Sequence, residues 1–140
     1  MRNRNFLVKL ALVLGLPIAA LTTGATAADI SGKSDLICAA SHVVGCIDGE
    51  CIQGTPKTFD VMTFIYVDVS RKVVHGVDDA GEKAESPIKS FEITENSIIL
   101  QGFENHRGWT IGIDRKDRKL NMSSIGPDVS FMITGNCTER

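Results

Sequence analysis

The densest cluster of reactive side chains is Cys38-x3-His42-x3-Cys46-x4-Cys51, with a fourth thiol far downstream at Cys137. Three thiols and an imidazole in one short window meet the number of ligands that tetrahedral zinc demands. The spacing fits neither a zinc finger nor a zinc ribbon. The four residues between Cys46 and Cys51 also differ from the two of the oxidoreductase motif, and no βαβ pattern surrounds them. An even cysteine count reads first as disulfides wherever a chain is exported. Asp48-Gly49 is a preferred core for a two-residue type I′ hairpin turn. With those two residues in the turn, Ile47 faces Glu50 and Cys46 faces Cys51. The cysteines then form a non-hydrogen-bonded pair with Cα atoms about 4.5 Å apart, close enough for a bridge. Cys38 is left for Cys137, so the expected pairs are Cys46–Cys51 and Cys38–Cys137. No metal and no cofactor is expected.

The second candidate is Phe103-Glu104-Asn105-His106-Arg107-Gly108-Trp109. A carboxylate, an amide, an imidazole, a guanidinium and the chain's one tryptophan flank a single expected turn at His106-Arg107-Gly108. Loops on a rigid β scaffold often carry function, so Glu104, His106, Arg107 and Trp109 are the candidate binding residues. Glu104 and His106 on one strand face would form an acid–base pair. The competing reading is a polar turn with Trp109 as a core anchor, and under it no residue is catalytic. Asp78-Asp79-Ala80-Gly81-Glu82 and Asp114-Arg115-Lys116-Asp117 match no EF-hand loop and read as solvated turns. The chain contains no G-x-S-x-G, H-E-x-x-H, Walker loop or dinucleotide fingerprint.

The elements that must position these residues follow a short apolar leader. Arg2, Arg4 and Lys9 precede an apolar run from Leu10 to Leu21, and Ala25-Thr26-Ala27 supplies small residues at a cleavage site. That order defines a secretory signal peptide over 1–27. The run is too short to span a bilayer, which takes about 20 apolar residues, so no stable membrane anchor is expected after cleavage. Residues 28–140 then make one domain. Without the leader's three bases, that domain holds 12 basic against 17 acidic residues. An acidic surface argues against nucleic acid as a partner.

Within the domain the dominant hydropathy period is two. Val61 to Val69 alternates with apolar residues on both faces, which predicts a strand covered on both sides. Trp109-x-Ile111-x-Ile113 and Val129-x-Phe131-x-Ile133 predict half-buried strands, with the tryptophan face inward. Ile98 to Phe103 and Leu120 to Ser124 add two more, and Val73 to Val77 and Ile88 to Thr94 give weaker ones. Asp78 to Ser86 reads as a polar, mobile loop. Cys38-Ala39-Ala40-Ser41-His42 lacks alternation, and a short helix over 39–44 is the expectation there. Seven to nine short strands at hairpin spacing predict an all-β fold, either a small antiparallel meander barrel or a β-sandwich. The Cys38–Cys137 bridge favours the barrel, because it brings the first and last segments of the domain together.

Leu36-Ile37-Cys38, Cys46 with Asp48-Gly49 and Cys51, Gly54-Thr55-Pro56, Gly108-Trp109, Ile113-Asp114 and Gly135-Asn136-Cys137-Thr138 together resemble a group of small, uncharacterised, exported four-cysteine bacterial proteins. The resemblance spans most of 35–138 and implies a shared scaffold. The chain is also similar in architecture to periplasmic lysozyme-inhibitor barrels, although their inhibitory loop motif is absent. The likeness implies a periplasmic or secreted bacterial protein.

The favoured expectation is a non-enzymatic binding module for a small molecule or a protein partner. The alternatives are a small exported enzyme using the Glu104–His106 region, and an envelope inhibitor or structural protein. A pocket lined by Trp109, Tyr66 and Phe64 would favour a small molecule. Convergence of Glu104, His106 and Arg107 in a cleft would favour an enzyme, and a filled interior a protein partner.

Overall fold

Asp48 and Gly49 both take positive φ, 51° and 86°, the pairing that a type I′ turn requires. They join β1 (Leu36–Ile47) to β2 (Glu50–Gly54) in the register that sets Cys46 against Cys51 and Ile47 against Glu50. A computed structural model describes residues 28–140 apart from Asp79 and Glu82. The signal peptide expected over 1–27 lies outside the described residues. After β2 comes a single 3-10 turn, Pro56–Phe59, followed by β3 (Phe64–Asp68), β4 (Val73–Val77), β5 (Lys83–Ile93), β6 (Ser97–Glu104), β7 (Arg107–Asp114), β8 (Lys119–Ile125) and β9 (Val129–Glu139). Among the described residues no helix is long and apolar enough to cross a membrane.

All pairings are antiparallel. From β3 onward each strand pairs with the next, and β9 returns to pair with β1 along its whole length. β1 therefore serves two neighbours on its other edge: β3 along Leu36–Ala39 and β2 along Val43–Ile47. The result is a closed eight-stranded meander barrel, with β2 as a ninth strand laid against the far half of β1. Closure satisfies the edge hydrogen-bonding groups that an open sheet would expose.

Both expected bridges are present. Cys38 and Cys137 are direct cross-strand partners, with Cα atoms 3.9 Å apart, and Cys46 and Cys51 are 4.1 Å apart. Neither is available as a thiolate, so the metal and redox alternatives lose their ligands and their nucleophile. Two bridges are the signature of an oxidising, non-cytoplasmic compartment.

The interior is filled by one side of each strand. Leu36, Ile65, Ile98, Leu100, Ile111, Ile113 and Leu120 are completely or almost completely buried. Each such side chain contributes about 1.5–3 kcal/mol through removal from water. Trp109 faces inward with Ile111 and Ile113, as its alternation requires, and keeps only 8% of its surface exposed. One end of the barrel is closed by the segment that precedes β1. Ile30 inserts as a plug, 1% exposed, and Arg115 holds its backbone from both sides. The Ile30 N–H donates to the Arg115 carbonyl at 2.9 Å, and Arg115 Nε donates to the Ile30 carbonyl at 2.8 Å.

Three expectations need correction. The helix over 39–44 is instead the middle of β1, where a bulge between Ala40 and His42 shifts the register. Residues 83–86 are not loop but the start of β5. The strand at Val61 to Val69 is shorter, beginning at Phe64, and only one of its faces is buried. On the outer face Phe64 is 42% exposed, and Tyr66 is covered by a stacked His75 ring at 4.8 Å.

Candidate binding site at the open end

The hairpin joining β6 to β7 turns on Asn105 and His106, with φ of 48° and 63°. Two consecutive positive-φ residues again make a type I′ turn, which asparagine and histidine tolerate better than most side chains. The turn thus lies one residue or more before the expected His106-Arg107-Gly108. In consequence Glu104 pairs with Arg107, Phe103 with Gly108, and Gly102 with Trp109. His106 sits at the exposed tip, and it does not share a strand face with Glu104.

Glu104, Arg107 and Trp109 share the inward side of this hairpin and line a cavity of about 410 Å³ at the open end of the barrel. Val74, Met62 and Met122 add apolar wall, and Ser86 and Ser124 add hydroxyls. A volume of this order suits a small molecule. Two interior glycines make the room. A Cβ built on Gly102 would lie 2.1 Å from Trp109 Cζ2, so the indole occupies the space of the missing side chain. A Cβ on Gly76 would lie 2.7 Å from the Met62 sulfur, so that thioether fills the same kind of gap at the rim. The indole is anchored by its N–H, which donates to Ser86 Oγ at 2.8 Å in a buried bond. Buried tryptophans need such a partner. The anchor fixes the ring as a rigid part of the cavity floor.

The charged pair at the rim is not locked together. The three ion pairs among the described residues lie at Arg71 and Lys119. Glu104 is half-buried, and among the described residues its one side-chain hydrogen bond is donated by Asn105 Nδ2 at 3.4 Å. Arg107 is exposed, and its stem lies along the turn between β8 and β9, with Cγ 3.0 Å and Nε 3.4 Å from a Cβ built on Gly126.

Four sequence candidates thus separate. Glu104, Arg107 and Trp109 converge on one cavity, and His106 does not. Tyr66 and Phe64, whose presence in a pocket with Trp109 would have favoured a small molecule, point outward. Sequence reasoning missed Met62, Val74, Gly76, Ala84, Ser86, Met122 and Ser124. The available signal was a glycine inside a strand, at 76 and at 102, which marks a close approach of another group. The Asp114 loop is a solvated turn, its carboxylate accepting the N–H groups of Lys116 and Asp117 at 3.0 and 2.6 Å.

The class these features define is a closed, disulfide-linked eight-stranded antiparallel barrel with a cavity at one end. The chain matches no protein-family model and no curated protein sequence.

Proposed function

We propose that the chain is an exported, non-enzymatic binding module that holds a small molecule with an apolar body in the open-end cavity. The observation that carries this reading is the floor built by Trp109, Val74 and Met122 beneath an open, half-polar rim. Concave apolar sites with a few placed polar groups are the usual form of small-molecule sites. The leader sequence and the two bridges support export to the periplasm or beyond the cell. The enzyme alternative weakens because His106 lies outside the cavity, which leaves Glu104 without an imidazole partner. An envelope inhibitor or a protein partner gains support from a row on the outer wall. Phe103, Ile125 and Met132 are each more than half exposed there, and exposed apolar patches mark contact surfaces.

The test uses Trp109 itself. Titration with the neutral apolar dye N-phenyl-1-naphthylamine should quench the indole emission by energy transfer and raise that of the dye. Ser124→Phe, which fills the cavity, should abolish both changes, and His106→Ala should leave them intact. Undiminished dye binding by Ser124→Phe would refute this site.

A further inference from the structure

We infer that the open-end cavity selects organic cations, namely amines or quaternary ammonium ions carrying an apolar body. This rests on the binding reading above and names the class of ligand for that site. Glu104 and Arg107 are the charged side chains among the described residues that line the cavity, and they are not equivalent. Arg107 lays its stem along Gly126 and is exposed, so its charge is already solvated. Glu104 is half-buried on the inward face, with a single long contact to an amide. A carboxylate in that position gains most from an arriving cation, because the site is already partly stripped of water.

The wider field points the same way. Asp48, Glu50, Asp60, Asp78, Glu104 and Asp128 all sit at the open end of the barrel, against Lys57, Lys83 and Arg107. At the closed end lysines and arginines at least match the carboxylates, so the negative charge of the domain is concentrated around the mouth. An acidic mouth raises the local concentration of cations and lowers that of anions. The floor is suited to the same ligand. Indole is the best cation–π acceptor among side chains, and the one N–H it could offer to an anion is already given to Ser86. The thioethers of Met62 and Met122 add polarizable apolar surface.

The experiment uses the chain exported by its own leader and three ligands with one body: 4-phenylbutylamine, 4-phenylbutanol and 4-phenylbutanoate. Binding is read by Trp109 emission and by calorimetry. The amine should bind about tenfold tighter than the alcohol, the order expected of one charge-assisted bond, and the carboxylate should bind weakest. The preference should shrink between about 20 mM and about 500 mM salt. It should also collapse in Glu104→Gln, a variant whose fold is checked by near-UV circular dichroism. Equal binding of amine and alcohol, or a preference for the carboxylate that Arg107→Gln removes, would overturn cation selection while leaving the cavity as a binding site. If none of the three binds, both readings fall together.

Discussion

Gly102→Ala separates a barrel built around a fixed indole from one in which Trp109 merely happens to be buried. The glycine lies in β6 directly opposite Trp109, and its backbone φ is ordinary for a strand. An alanine there is therefore unstrained in itself, and its whole cost is steric. Its Cβ would fall 2.1 Å from Trp109 Cζ2, 2.4 Å from Cε2 and 2.8 Å from the Pro87 carbonyl oxygen. Contacts between carbon atoms are optimal at about 3.5–4.0 Å, so the ring must retreat by about 1.5 Å. That retreat breaks or stretches the 2.8 Å bond to Ser86, which removes about 0.5–1.5 kcal/mol. Overpacking adds about 1–3 kcal/mol. Together they imply about 1.5–4.5 kcal/mol, a large part of the roughly 5–15 kcal/mol typical of a domain. Gly112→Ala is the matched control. It lies on the neighbouring strand, and its Cβ would meet nothing closer than 3.7 Å, so its effect should stay within about 0.5 kcal/mol. Urea unfolding followed by far-UV circular dichroism gives both values, and Trp109 emission reports the ring. Gly102→Ala should lower Tm by about 10 °C or more and weaken dye binding, because the displaced ring enters the cavity. If Gly102→Ala and Gly112→Ala are equally mild, with unchanged emission, the close-approach argument fails.

Two further outcomes follow from the closed end and the bridges. Replacing Cys38 and Cys137 together by alanine should cost about 4–5 kcal/mol in the chain-entropy treatment, since they enclose a sequence separation of 99. The same change at Cys46 and Cys51, separated by 5, should cost about half as much; equal costs in urea unfolding would contradict the ordering. Glu139 accepts hydrogen bonds from the Ser31 hydroxyl and the Ser31 N–H, and these, reinforced by Gly32 and Arg118, hold its carboxyl below the ordinary range. A depressed carboxyl stabilises the fold above its unfolded value of about 4.3 and loses that contribution as pH falls through the lower folded value. Glu139→Gln should thus be less stable than wild type at neutral pH and should converge with it in acid. Denaturant titrations across pH 2–7 check this, and a constant gap at every pH would refute it.

The local chemistry of turns and alternation carried much of the architecture. Asp48-Gly49 determined the first hairpin, its register and the Cys46–Cys51 bridge, and the remaining pair then tied the first strand to the last. Trp109, Ile111 and Ile113 revealed their face because nothing interrupts the period of two across β7. Two of the misjudged segments belong to strands that a bulge interrupts. In β1 the inward residues run Leu36, Cys38, Ala40 and then, after the bulge, Val43 and Gly45. In β5 Ser86 and Ile88 are buried, and after a bulge between Ile88 and Ser90 it is Phe91 that packs on the core. One inserted residue reverses the parity, so a continuous strand reads as two short fragments or as no strand at all. The candidate site was half legible for a different reason. Glu104, Arg107 and Trp109 lie within one hairpin, whereas Val74, Ser86 and Met122 come from three other strands, and only closure of the barrel brings them together. His106 was misplaced because Asn105-His106 accepted the positive φ that the following glycine seemed to demand.

The plug at Ile30 has a consequence for how the molecule can be attached to anything else. Ala28 accepts a hydrogen bond from Arg118 Nη2 at 2.6 Å, and the Arg140 N–H donates to Asp35 at 2.9 Å. Both outer stretches of the domain are therefore moored to the same pole, opposite the mouth. A tether, tag or solid support joined at either stretch would orient the cavity outward, like a cup held by its base. Immobilisation through residue 140 should then preserve ligand access, while coupling through Lys57 or Lys83 at the rim should obstruct it.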